Sequence, residues 1–160
     1  QSKHMSWRKL DGTFLDNDLP KLVEDTIQHE IKAGYQLKVC VGTDSQVYRN
    51  HIEFASAVVF LRQGSGGFMF VNNHRHVGIM SIKERMITEV AQSIEVAYSI
   101  CDILDNYKVD FEVHADINTN PNFKSNTALR EAMGYIMGMG FQFKVKPEAF
   151  ASTTCADKVV

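Results

Sequence analysis

Leu37, Val39 and Val41 alternate with Lys38, Cys40 and Gly42, and a polar run beginning Thr43, Asp44, Ser45 follows. Such period-two patterning predicts a β-strand over residues 36–43. Two more strands are predicted at 52–61 and 67–77, set off by "DSQVYRNH" and the glycine-rich hairpin "RQGSGG". Ahead of them, "DNDLPKLVEDTIQHEIKAGY" carries an apolar stripe of Leu19, Leu22, Val23, Thr26, Ile27 and Ile31. With Asp18 as cap, an early Pro20 and a stop at Gly34, this segment predicts a helix over about 19–33.

"SIKERMITEVAQSIEVAYSICDILDNY" predicts a long helix, with Ile82, Met86, Val90, Ile94, Ala97, Cys101 and Leu104 as its buried stripe. A fourth strand over 109–115 runs into Asp116, and "NTNPNFKSN" is a polar loop. A helix over 126–139 closes at Gly140, a strand follows at 141–146, and "ASTTCADKVV" opens a last helix. Gly134 and Gly138 are expected to allow close helix–sheet packing, and Met133, Met137 and Met139 to fill the core. Strands joined by short turns pair antiparallel, and strands separated by helices pair parallel through right-handed crossovers. The expected fold class is therefore α/β: a mixed five-stranded sheet of order 3-2-1-4-5, strand 2 antiparallel, with helices on both faces.

Two strands of this plan deliver an aspartate, in "VCVGTD" and "FEVHAD". Ligands of α/β sheets bind beyond the carboxyl ends of strands. If the first and fourth strands are adjacent and parallel, Asp44 and Asp116 meet there. Asp also starts turns in its own right, so neither residue settles the matter alone. On the long helix, Ser81 and Glu84 form a capping box. At about 100° per residue, Glu89 falls on the border of the buried stripe and Glu84 on the solvent side. Asp157 lies in the first turns of the last helix, where an acid also suits the helix dipole.

The chain has 160 residues, enough for one domain with a real core, and residues 1–4 read as an expression scar ahead of a single domain over 5–160. No apolar run approaches a membrane span, and the start lacks the apolar centre of a signal peptide. Cys40, Cys101 and Cys155 are an odd number without CxxC spacing, which points to reduced thiols and a cytoplasmic location. The net charge of −2 gives no global basic signature, leaving only a local one for a nucleic-acid partner.

The acids occur in the order strand-end Asp, helix Glu, strand-end Asp, final-helix Asp. With "GTDSQ", "KERMITEV", "HADIN", "GYIMGMGF" and "KPEAFASTTCADK", the chain resembles the bacterial ribonuclease H-like family of predicted nucleases that includes the YkuK proteins. The resemblance covers about residues 37–160 and leaves the first helix outside the shared catalytic core. It implies a ribonuclease H-like fold and metal-binding, catalytic roles for Asp44, Glu89, Asp116 and Asp157. It further implies two Mg²⁺ or Mn²⁺ ions, which prefer oxygen ligands, and hydrolysis of DNA or RNA phosphodiesters. Asp44 would bridge the ions, Asp116 and Glu89 would bind one of them, and Asp157 the other.

Lys124, Lys146 and Lys158, with Arg130 and Lys144, flank the second half of this site and are equally read as phosphate contacts or as solvated surface. His74 and His76 share one face of an outer strand without a third ligand beside them, and His114 shares a face with Asp116. The alternative function is a nucleic-acid-binding module with the fold but no turnover. An actin-like phosphotransferase would need a glycine-rich phosphate loop, and "TDSQVYRN" has no glycine.

Overall fold

A computed structural model describes residues 6–115 and 126–144. In chain order the elements are β1 (Arg8–Lys9), α1 (Leu19–Lys32), β2 (Leu37–Val47), β3 (His51–Arg62), β4 (Gly67–Val77), α2 (Ile82–Asn106), β5 (Asp110–His114), α3 (Thr127–Gly138) and β6 (Gln142–Lys144). They form a mixed α/β sheet of order β1-β4-β3-β2-β5-β6. Its five longer strands reproduce the expected order, and β2 pairs antiparallel with β3 and parallel with β5. The sixth strand, β1, is two residues long and pairs with β4 at Val71 and Phe70, too short a stretch to show a period.

The three described helices pack on one face of the sheet, α1 and α3 each against α2. Helices were expected on both faces; the expected last helix lies outside the described residues. On the helix side, Val39, Val41, Val58, Phe60, Phe111 and Val113 meet Val23 and Ile27 of α1, Ile94, Ala97 and Ile100 of α2, and Ile136 of α3. The opposite face carries a smaller buried cluster of Cys40, Ala55, Ala57, Val59, Met69 and Val71.

Local chemistry sets the helix ends. Asp18 caps α1 by accepting from the Lys21 N–H, and Gly34 leaves the helix at φ 93°, a conformation that favours glycine. Ser81 and Glu84 form the expected capping box at the start of α2, with bonds of 2.9 and 3.1 Å.

Three packing expectations are corrected. Ile82 is 70% exposed because the first turn of α2 is solvent-facing throughout, and the helix becomes buried only from Val90. A Cβ on Gly134 or Gly138 would meet nothing within 4 Å, since both point away from the face that buries Leu129 and Ile136. Met137 lies beside that face and is exposed, while Met133 and Met139 pack on the core.

Glu30 is buried on α1, and Arg62 of β3 donates to both its oxygens at 2.7 and 3.1 Å. The Arg62 bonds outweigh the upward push of burial and, with the guanidinium charge, hold the Glu30 carboxyl below its ordinary value. A depressed folded-state value stabilises the protein above the ordinary range of the group and is lost as pH falls through it. Thermal melts of wild type and Glu30→Gln should therefore differ fully at neutral pH and converge below about pH 4.5. A gap that stays constant across that range would show that the ionised pair contributes nothing specific.

Candidate functional site

The sheet splits at the end of β5. Pairing of β2 with β5 stops at Gly42↔His114, whereas pairing of β2 with β3 continues to Val47↔Ile52. Asp44 is therefore not at a strand end, as its polar surroundings suggested. It lies inside β2, kept extended by β3, just where the parallel neighbour has left. Such divergence points are where open α/β sheets bind ligands.

Successive side chains of β2 face opposite sides. Thr43 and Ser45 point toward α2, and Asp44 shares the other face with Cys40 and Gly42. The strand and helix are joined by hydroxyls. Ser93 Oγ donates to Thr43 Oγ1 at 2.8 Å, Thr43 Oγ1 and Ser56 Oγ share a bond of 2.9 Å, and Ser56 Oγ donates to Gln92 Oε1 at 3.5 Å. Thr43, Ser56 and Ser93 are buried, so these bonds satisfy groups that would otherwise be costly to desolvate.

One turn before Ser93 on α2 stands Glu89, half-buried, which accepts a hydrogen bond from Ser45 Oγ. The Ser45 N–H donates to Asp44 Oδ1 at 2.9 Å. A single serine thus touches two of the acids singled out in the sequence, its hydroxyl on Glu89 and its amide on Asp44. Glu84, by contrast, is exposed and occupied with its cap.

Ser45 was not singled out as a site residue. The signal was available: next to Asp44 on a strand, it must face the other side, where the helix lies. Arg85 was also missed. It precedes Glu89 by four residues, so both share one helix face. Its Nε is a buried donor with no hydrogen-bond partner among the described residues.

Asp116 follows directly on the buried Ala115 but lies outside the described residues, as do Asp157, Lys124, Lys146 and Lys158. Arg130 is exposed on α3 and Lys144 half-buried on β6. His74 is exposed and His76 half-buried on β4. His114 is buried and bonded through Nε2 to Glu112 Oε1 at 2.9 Å, while Lys38 Nζ holds Glu112 Oε2 at 2.8 Å. Burial pushes the Glu112 carboxyl up, but the bonds from Lys38 and His114 and the Lys38 charge outweigh it and leave it below its ordinary value.

This is the arrangement of an α/β protein in which a central strand outruns its parallel neighbour and one serine there contacts two acids, Asp44 through its amide and Glu89 through its hydroxyl. A family model described as ribonuclease H-like matches residues 19–160, and the chain belongs to that family. It is similar to "Uncharacterized protein YkuK" of Bacillus subtilis (strain 168), with 30% identity over 158 residues, 88% of this chain and 88% of that protein. Among solved structures it is similar to RNase H1 from the halophilic archaeon Halobacterium salinarum NRC-1. That likeness has 13% identity and a TM-score of 0.38, covering 76% of this chain and 96% of the other. Membership of the family supports a nuclease-like or nucleic-acid-related function. No helix among the described residues is long and apolar enough to cross a membrane.

Proposed function

We propose that the protein is a metal-dependent nuclease that hydrolyses phosphodiester bonds in DNA or RNA. Asp44, Glu89, Asp116 and Asp157 are its proposed ligands for Mg²⁺ or Mn²⁺. The observation that carries this reading is Ser45, whose amide holds Asp44 and whose hydroxyl holds Glu89, at the place on β2 where pairing with β5 stops.

The donors fit the group. Both carboxylates and the serine hydroxyl offer hard oxygen atoms, which suit Mg²⁺ and Mn²⁺. A pair of such ions, when bound, supplies an activated water and stabilises the leaving oxygen. The chain itself does the positioning. Ser45 fixes one oxygen of each acid and so aims the other oxygens of Asp44 and Glu89. The hydroxyl ladder beneath locks α2 against β2, so Glu89 keeps its place beside Ser45. Arg85, with a buried donor to satisfy, is suited to a phosphate oxygen of the substrate strand. Asp116 comes next after Ala115 in the chain, and together with Asp157 it completes the proposed set.

The test is a cleavage panel of DNA, RNA, hybrid and branched substrates with Mg²⁺ or Mn²⁺. Glu89→Gln should lower cleavage about a hundredfold or more, since it removes a proposed ligand charge and keeps the shape. Glu84→Gln should cleave as wild type, because Gln still serves a capping box. Full activity in Glu89→Gln would overturn the assignment. Binding of the same substrates without any turnover in wild type would favour the non-catalytic module.

A further inference from the structure

The face of the sheet turned away from the helices holds a cluster that the nuclease reading does not use. Cys40 on β2 stands directly across from Glu112 on β5, and His114 is one same-face position further on, beside Gly42. The spacing Glu-x-His on a strand puts both side chains on one face, and the parallel register brings the thiol to them. A sulfur of Cys40, an oxygen of Glu112 and a ring nitrogen of His114 all lie within 4.8 Å of one another. Cys40 and His114 are each 3% exposed.

We propose that these three side chains form a second, sulfur-containing metal site that takes one Zn²⁺-class ion. Metal bonds of about 2.0–2.3 Å place tetrahedral ligands about 3.3–3.7 Å apart. The His114–Glu112 separation is 2.9 Å, so the three donors need only small rotations to close on one ion. Thiolate, imidazole and carboxylate together suit Zn²⁺ or Co²⁺ and discriminate against Mg²⁺, which avoids sulfur. Selection at this site is therefore opposite to that of an all-oxygen site.

Lys38 is the counter-cation of the ion-free state. Its Nζ lies 2.8 Å from Glu112 Oε2, and its side chain is 42% exposed, free to swing into solvent when a metal takes the carboxylate. A cavity of about 330 Å³, lined by Lys38, Asp110, Glu112 and Gln142 among others, opens the carboxylate to entry. A bound ion would bridge β2 and β5, the two strands whose divergence exposes Asp44. Because the site stands on different residues, it is independent of whether Asp44 and Glu89 support catalysis.

Titration of the full chain with Co²⁺ tests this, read by the near-ultraviolet charge-transfer band that only thiolate-bound cobalt gives. One equivalent should saturate the band, Zn²⁺ should bleach it, and a large excess of Mg²⁺ should leave it unchanged. Cys40→Ser should abolish it, while Cys101→Ala and Cys155→Ala retain it. Glu112→Gln should weaken cobalt binding tenfold or more, and Lys38→Met should tighten it by ~10-fold, the scale of one like charge removed a few ångströms away. No thiolate band in wild type, a band that survives Cys40→Ser, or loss of the band to Mg²⁺ would each overturn the proposal. If Cys40→Ser does not fold, the opposite responses of Glu112→Gln and Lys38→Met decide it: equal affinity in both and in wild type would also overturn it.

Discussion

On the proposed nuclease reading, Asp44→Asn should lose most of the thermal stabilisation expected from Mn²⁺ in the wild-type protein, and cleave nucleic acid about a hundredfold more slowly or worse. Acids gathered without a cation repel one another, so an ion that binds only the folded state stabilises it. At a hundredfold excess over Kd the gain is about 2.7 kcal/mol, or roughly 5–10 °C in Tm for a chain of this size. The amide oxygen of Asn can still accept from the Ser45 N–H, so the local backbone has no reason to move. The variant should therefore melt at or above the wild-type temperature without metal. Thermal melts with and without Mn²⁺, beside the cleavage assay, check both statements. An undiminished metal-induced shift would remove Asp44 from the site.

Phe60→Ala should be the more damaging change to the fold. Phe60 is completely buried on the helix side of β3. Its ring stacks on Phe68 at 5.0 Å and meets Phe70 edge-on at 5.3 Å. Truncating a buried Phe costs about 3–5 kcal/mol, from lost transfer energy and the cavity left behind. That is a large part of the roughly 5–15 kcal/mol that separates folded from unfolded domains. Urea unfolding should show a much lower midpoint with an unchanged slope. A loss below about 1 kcal/mol would mean that α1 and β4 collapse into the space.

These two residues differ in how far the sequence alone exposes them. Phe60 lies in a strand whose apolar run is unmistakable, and the order of the five longer strands follows from turn chemistry and helical spacing. Asp44 was legible as an acid next to a strand but not as a residue within one. The apolar alternation ends before Thr43, whereas backbone pairing with β3 runs on to Val47, and only the pairing partner reveals that. Ser45 was missed for a related reason: it matters through Glu89, which faces it across the β2–α2 interface. Ile82 was misjudged because a helical stripe gives rotation about the axis but not where the sheet beneath begins; Gly134 and Gly138 lie on the far side of α3 from Leu129 and Ile136, a rotation that the helical spacing itself contains. Two of the four acids, Asp116 and Asp157, fall outside the described residues.

The two-residue strand β1 bears on how copies of this protein behave toward each other. A strand of eleven residues with an open outer edge invites another chain to add to it, which is how sheets clump. β1 covers that edge at Phe70 and Val71, its apolar stretch, and Arg8 reaches on to Asn73 at 2.6 Å. Further along, His74, Arg75 and His76 present polar and charged groups that neighbours cannot easily pair across. The same segment seats Trp7 in the core, at 2% exposure. Colloidal behaviour and folding are thereby coupled: whatever dislodges Trp7 also unseals the edge, so mild destabilisation at this corner would show as precipitation before it showed as unfolding.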